Sequence, residues 1–223
     1  MSATRAIAAL VSAAIGLTAV AQSQKVVSED LDNLTVSRTA DISGTLPVVF
    51  LVHNRGVKKD AWGDYPESLA SKGYVVVNIG WTNGAGWTDL TDAIGKVLKK
   101  YPEAIDTKRA AFIGGSHGCV KILNMMRVSL PITVKALVLL SLGEVSTAPE
   151  DHPPILGIYG TADHLGDYYV KIENQVYETY IDEPKTILAL DGAKPHGNEL
   201  AADDSTKERV SGEILAFLDA NLR

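Results

Sequence analysis

The sequence is poor in cysteine, in basic clusters and in long apolar runs, and each shortage removes a class of protein. One cysteine, Cys119, stands in 223 residues, so no intramolecular disulfide can staple the chain and stability has to come from a packed core. That cysteine reads as a small, buried packing residue. No block of Lys or Arg interrupts a formal charge of −6, which leaves neither nucleic acid nor an anionic membrane surface as an expected partner. The five histidines and the lone cysteine show no ligand spacing, so no metal is expected. Repeats, low-complexity tracts and linkers are also missing.

The most apolar stretch, Ala6 to Ala21, carries no charge yet falls short of the roughly 20 residues a spanning helix needs. It follows a short segment with one positive side chain, Arg5, and ends in Ala19-Val20-Ala21, the small-x-small pattern of signal-peptidase sites. Residues 1–21 therefore read as a cleaved secretory signal, with Gln22 as the new first residue and one domain over 22–223; an uncleaved anchor is the alternative. The expected location is secreted or periplasmic, with no stable membrane span after cleavage. No cysteine in the segment argues against a lipid-anchored precursor.

What the chain does have is alternation. Pro47 to His53, Tyr74 to Ile79, Ala110 to Ile113, Ala136 to Leu140 and Ile155 to Tyr159 are apolar runs without a period of two, the pattern of strands buried on both faces of a parallel sheet. Thr186 to Leu190 reads as a last strand, closed by the turn pair Asp191-Gly192. Between them lie helical patterns. Leu90, Ala93, Ile94, Val97 and Leu98 mark one face of a helix with Thr88 as its expected cap. A short helix is expected from about Pro66 to Lys72, stopping at Gly73. Ser205 and Glu208 form a capping-box pattern before Val210, Ile214, Phe217 and Leu218. Strand and helix in turn predict a three-layer α/β domain with a mostly parallel sheet. The segment from Gly143 to Pro154 is too short to hold a cap domain.

Gly114-Gly115-Ser116-His117-Gly118 is the segment that carries chemistry. A Gly-x-Ser-x-Gly match in a chain with 19 glycines is weak alone, but this one follows an apolar strand and precedes the helix-compatible run Cys119 to Met126, the context of a nucleophile elbow. Side chains at Gly114 and Gly118 would collide where strand and helix approach. A serine hydroxyl needs a base and an orienting acid. Asp163 lies just past the strand ending at Tyr159, and His196 lies past the last strand, each at the edge where open α/β sheets place ligands. Asp167 and Asp191 remain rival acids. Of the other histidines, His53 reads as orienting its loop, His152 as facing solvent and His164 as a neighbour of the acid.

The order Ser116, Asp163, His196 resembles the nucleophile, acid, histidine order of the α/β-hydrolase superfamily across nearly all of the mature chain. That resemblance implies an α/β-hydrolase fold with a mostly parallel central sheet and no cap domain. It also implies that Asp163 holds His196 so that its other nitrogen deprotonates Ser116, with no cofactor. The loop His53-Asn54-Arg55-Gly56 resembles the family's His-Gly-x loop, with Asn54 where a glycine is common. By resemblance, the backbone N–H groups of Arg55 and His117 are the oxyanion donors, although Arg55 could instead hold a substrate carboxylate.

The compact form resembles dienelactone-hydrolase-like and polyester-degrading esterases, while Gly-Gly-Ser-His-Gly also resembles acylaminoacyl and prolyl-oligopeptidase-type peptidases, whose propeller is absent. Dienelactone hydrolases use cysteine where this chain has Ser116. The expectation is therefore a serine carboxylic ester hydrolase acting on a small-molecule or polymeric ester; a peptidase or amidase of the same fold and a non-catalytic binding protein are the alternatives. Trp81 and Trp87, flanking the Gly-rich stretch after a predicted strand, could wall the substrate pocket or anchor their loop against the core.

Overall fold

The computed structural model describes residues 25–81, 86–143, 147–179 and 181–223. The expected signal segment, 1–21, lies outside the described residues. Among these residues eight strands form one sheet: β1 (Val26–Leu31), β2 (Leu34–Thr39), β3 (Leu46–Val52), β4 (Val75–Ile79), β5 (Ile105–Gly115), β6 (Val134–Leu140), β7 (Ile155–Gly160) and β8 (Lys185–Leu190). Their spatial order is β1-β2-β4-β3-β5-β6-β7-β8. The strands from β4 to β8 in that order run parallel, and β1 and β2 add an antiparallel hairpin at one edge.

Among the described residues six α-helices and one 3-10 turn, Lys59–Trp62, flank the sheet: α1 (Tyr65–Ala70), α2 (Thr88–Lys100), α3 (His117–Met125), α4 (Asp167–Thr179), α5 (Glu199–Ala202) and α6 (Lys207–Leu222). Alternate side chains of each central strand feed opposite cores. Val48, Phe50 and Val52 pack with residues of α2, α3 and α4, whereas Val49 and Leu51 pack with residues of α1, α5 and α6. The expected three layers and mostly parallel sheet are present. Phe50 and Phe112, on neighbouring strands, stack with ring centroids 4.8 Å apart. Cys119 is fully buried, as expected.

The apolar runs mark the strands correctly, with β5 starting five residues earlier than its apolar part because pairing continues through a register shift beside β3 and β6. Two helix caps differ from expectation. Trp87, not Thr88, precedes α2, and neither offers a side-chain cap. Ser205 donates to Asp203 Oδ1 at 2.5 Å instead of capping α6, whose first flanking residue is Thr206. The hairpin β1–β2 and the helix α4 were not anticipated. In β2, Leu34 and Val36 are buried on one face and Ser37 and Thr39 on the other, so buried polar residues break the apolar pattern. Between β6 and β7 the described residues 141–143 and 147–154 form neither helix nor strand, and no cap domain is evident.

Candidate active site

Chain order runs away from β3 through β4 in one direction and from β5 through β8 in the other. The loops after β3 and β5 therefore open beside each other at a switch point, where this kind of sheet leaves a crevice. Ser116 sits there, between β5 and α3, with φ 51° and ψ −119°. A non-glycine residue in that region costs about 1–3 kcal/mol and persists only where its surroundings enforce it. Here the Ser116 N–H donates to Leu140 O at 2.8 Å and its carbonyl accepts from Cys119 N at 3.0 Å. A Cβ at Gly114 would come within 2.8 Å of Cys119 N, and one at Gly118 would run into the carbonyl oxygens of Val52 and His53. The glycines permit the close strand-helix approach. The Ser116 hydroxyl makes no capping bond to its helix.

His196 and Asp163 converge on the same spot from two later loops. Nδ1 of His196 lies 2.6 Å from Oδ2 of Asp163, and both side chains are buried. The second Asp163 oxygen accepts the Leu165 N–H at 2.9 Å. The His196 backbone N–H donates to Glu199 Oε2 at 3.0 Å, which ties down the loop that carries the ring. Its Nε2 is buried and makes no hydrogen bond among the described residues. The rival acids are elsewhere: Asp167 opens α4, and Asp191 accepts from Thr161 at 3.3 Å.

Asn54, at the position where the resemblance leads one to expect glycine, turns out to be a clamp. Its backbone N–H donates to Asn198 Oδ1 at 3.0 Å, its Oδ1 accepts from Asn198 N at 2.9 Å, and its Nδ2 donates to His196 O at 3.1 Å. Asn198 in turn donates to Ala61 O at 2.8 Å. The loop after β3 is thereby tied to the loop that carries His196. Buried polar atoms satisfied this fully specify one geometry. Arg55 follows the clamp and is exposed.

The tryptophans take the anchoring role. Neither Trp81 nor Trp87 is among the described residues that line the Ser116 cavity. Trp81 is buried, stacks on His53 at 5.2 Å, donates from Nε1 to His53 O at 3.0 Å and has the Lys121 ammonium 4.5 Å above its ring. Lys121 pairs with Asp89 at 3.1 Å, so this buried cation is compensated. Trp87 is half-buried against the core at the start of α2. His53 accepts the Trp81 N–H on Nε2 and donates from Nδ1 to Asn54 O at 2.7 Å; burial holds its pKa below the usual range. It orients its loop. His152, expected to face solvent, is buried with Nδ1 on Pro153 O at 2.7 Å.

Ser116, His117, Arg55, Asn54 and His196 open onto one cavity of about 510 Å³. Tyr169, Ile172 and Gly143 line it further out. Its rim carries Val57, Leu165 and Tyr168, which are the large hydrophobic side chains most exposed among the described residues, at 38%, 44% and 71%. His164 also lies at this mouth, edge-on to His196 at 6.2 Å.

Sequence reasoning missed Glu173. It is fully buried on α4, with Oε1 3.6 Å from His196 Nδ1. Burial, and then the negative charge of Asp163, push its pKa up to about 8, with the Ser141 hydroxyl acting in the opposite direction. The spacing Tyr169, Glu173, Val176, Tyr177 places a carboxyl on the inner face of an amphipathic helix, and that misplaced charge was the available signal. Asp163, Glu173 and His196 offer ligand atoms within 4.8 Å of one another. The 2.6 Å Nδ1–Oδ2 separation is nevertheless a hydrogen-bond length, shorter than the roughly 3.3 Å edge between two ligands of a tetrahedral zinc ion.

No protein-family model matches the sequence, and no curated protein matches it. Solved structures do. Esterase B from Lactobacillus rhamnosis superposes with a TM-score of 0.63 at 16% identity, covering 90% of this chain and 87% of that one. The dienelactone hydrolase of Anabaena variabilis gives 0.63 at 16% identity, over 90% of this chain and 98% of that one. The chain has the α/β-hydrolase fold. An α/β-hydrolase from a deep-sea metagenome library agrees, with a TM-score of 0.64 at 14% identity over 89% and 98% of the two chains. Within this hydrolase fold, Ser116, Asp163 and His196 stand at the sheet edge where strands β5, β7 and β8 end.

Proposed function

We propose that this chain is a serine hydrolase that cleaves carboxylic esters through an acyl-serine intermediate. The observation that carries the reading is the buried Asp163–His196 hydrogen bond, opening onto the same cavity as a strained serine at the head of α3. Asp163 fixes the tautomer with the proton on Nδ1, which leaves Nε2 as an acceptor. Ser116 Oγ attacks the ester carbonyl as Nε2 takes its proton. The carbonyl oxygen becomes an oxyanion, and the backbone N–H groups of Arg55 and His117 receive it at the positive end of α3. Collapse expels the alcohol, which leaves with the proton held by His196. Water then repeats the sequence on the acyl-serine and releases the acid.

The open, apolar-rimmed cavity supports a small-molecule or polymeric ester with an apolar acyl or alcohol part. No cofactor takes part in this chemistry. Purified protein is expected to hydrolyse short-chain p-nitrophenyl esters, and Ser116→Ala to lower kcat by about 10⁴-fold or more, the usual consequence of removing a triad member. Full activity in Ser116→Ala, or none in the intact protein, rejects the proposal. Export through residues 1–21 belongs to the same reading.

A further inference from the structure

The Nδ1 edge of His196 faces two carboxyl groups, and the triad uses one. Asp163 takes the short contact, while Glu173 Oε1 waits at 3.6 Å. Both Glu173 oxygens are buried and neither makes a hydrogen bond of good geometry among the described residues. An unpaired carboxyl in that position is costly, and a helix like α4 could fill the site with leucine at no such cost. Glu173 sits four residues after Tyr169, whose ring lies 6.0 Å from that of His196, so one helical face presents both side chains to the histidine.

We propose that Glu173 is a reserve acid for His196, a positioning residue that stays neutral beside a charged Asp163 and becomes the carboxylate partner of Nδ1 when Asp163 is neutralised or lost. This inference rests on the triad reading above. Two carboxyl groups this close cannot both ionise easily, so Asp163 suppresses the charge on Glu173. Removing Asp163 lifts that suppression, so Glu173 releases its proton to solvent at a lower pH and its carboxylate then stabilises the imidazolium that forms when His196 takes the Ser116 proton. The groups that face Glu173 from the packed elements are Asp163 before α4, His196 after β8, Ser141 after β6, Cys119 on α3, Tyr159 on β7 and Tyr177 on α4 itself. Apart from Asp163, none of them carries a negative charge at neutral pH. The raised pKa of Glu173, about 8, agrees with this arrangement.

The test compares ester hydrolysis by Asp163→Ala, Glu173→Gln and the double variant, with Ser116→Ala as reference and thermal melts confirming that each is folded. Asp163→Ala is expected to keep kcat at least about 10-fold above the double variant, and its activity to rise with pH as Glu173 ionises; the double variant lacks that rise. Equal kcat in Asp163→Ala and the double variant, both folded, overturns the proposal. Should Asp163→Ala not fold, the isosteric Asp163→Asn, alone and combined with Glu173→Gln, makes the same comparison: a kcat about 10-fold higher where Glu173 is present is expected, and equal kcat in the two folded variants overturns the proposal. If Ser116→Ala matches wild type, the triad reading itself fails, which is a separate outcome.

Discussion

At the scale of single residues, Ser116 holds a strained backbone and Glu173 a costly buried carboxyl, and both face His196 or its cavity. Glu173 has a consequence for stability that does not depend on catalysis. In the unfolded chain its carboxyl ionises near 4.5, whereas in the folded chain it keeps its proton up to about 8. Between those values the unfolded state binds fewer protons, so this residue's contribution to stability falls as pH rises through the window and is level on either side. At about 1.4 kcal/mol per tenfold change in acidity, the full loss is at most about 5 kcal/mol. Glu173→Gln keeps the shape and removes the charge. Urea unfolding at pH 5, 6.5 and 8 is expected to show the variant gaining on wild type with each step; parallel stabilities across the three pH values would contradict the buried, proton-holding carboxyl.

At the scale of elements, the geometry of the candidate site depends on two loops that approach each other only after the sheet has formed. Asn54 and Asn198 exchange hydrogen bonds across 144 positions of chain, and the lack of a side chain at Gly115 and Gly197 leaves room for the Asn54 amide. Asn198→Ala removes the acceptor of the Asn54 N–H and the donor to Ala61 O. Each buried group left unsatisfied costs about 1–3 kcal/mol, so the variant is expected to lose roughly 2–4 kcal/mol in urea unfolding. Its kcat should fall more than its KM rises, because the Arg55 N–H and His196 lose their common register. A stability loss with unchanged kcat would show that the clamp holds the fold and not the site. The same scale explains two misread caps. Cap propensity competes with tertiary docking, and in α2 and α6 packing of the apolar face decides where the helix begins.

At the scale of the whole molecule, a single buried cysteine and two cores on either side of one sheet make folding indifferent to redox conditions. Expressed in a Gram-negative host with residues 1–21 present, the chain is expected in the periplasm with Gln22 at its N-terminus, as intact mass would show, and its melting temperature should not change with a reducing agent. Retention of residues 1–21 would contradict the signal-peptide reading.

The apolar runs, the glycines around Ser116 and the order of Ser116, Asp163 and His196 are local features, so the strand-helix alternation and the elbow were legible without coordinates. Period and turn chemistry act within a few residues. Pairing Asp163, and not Asp167 or Asp191, with His196, recognising Asn54 as a clamp, placing Trp81 and Trp87 outside the described lining of the Ser116 cavity and bringing Glu173 to His196 all required the fold. Each of those contacts joins segments tens of residues apart, and only sheet order and register decide which side chains from such segments meet.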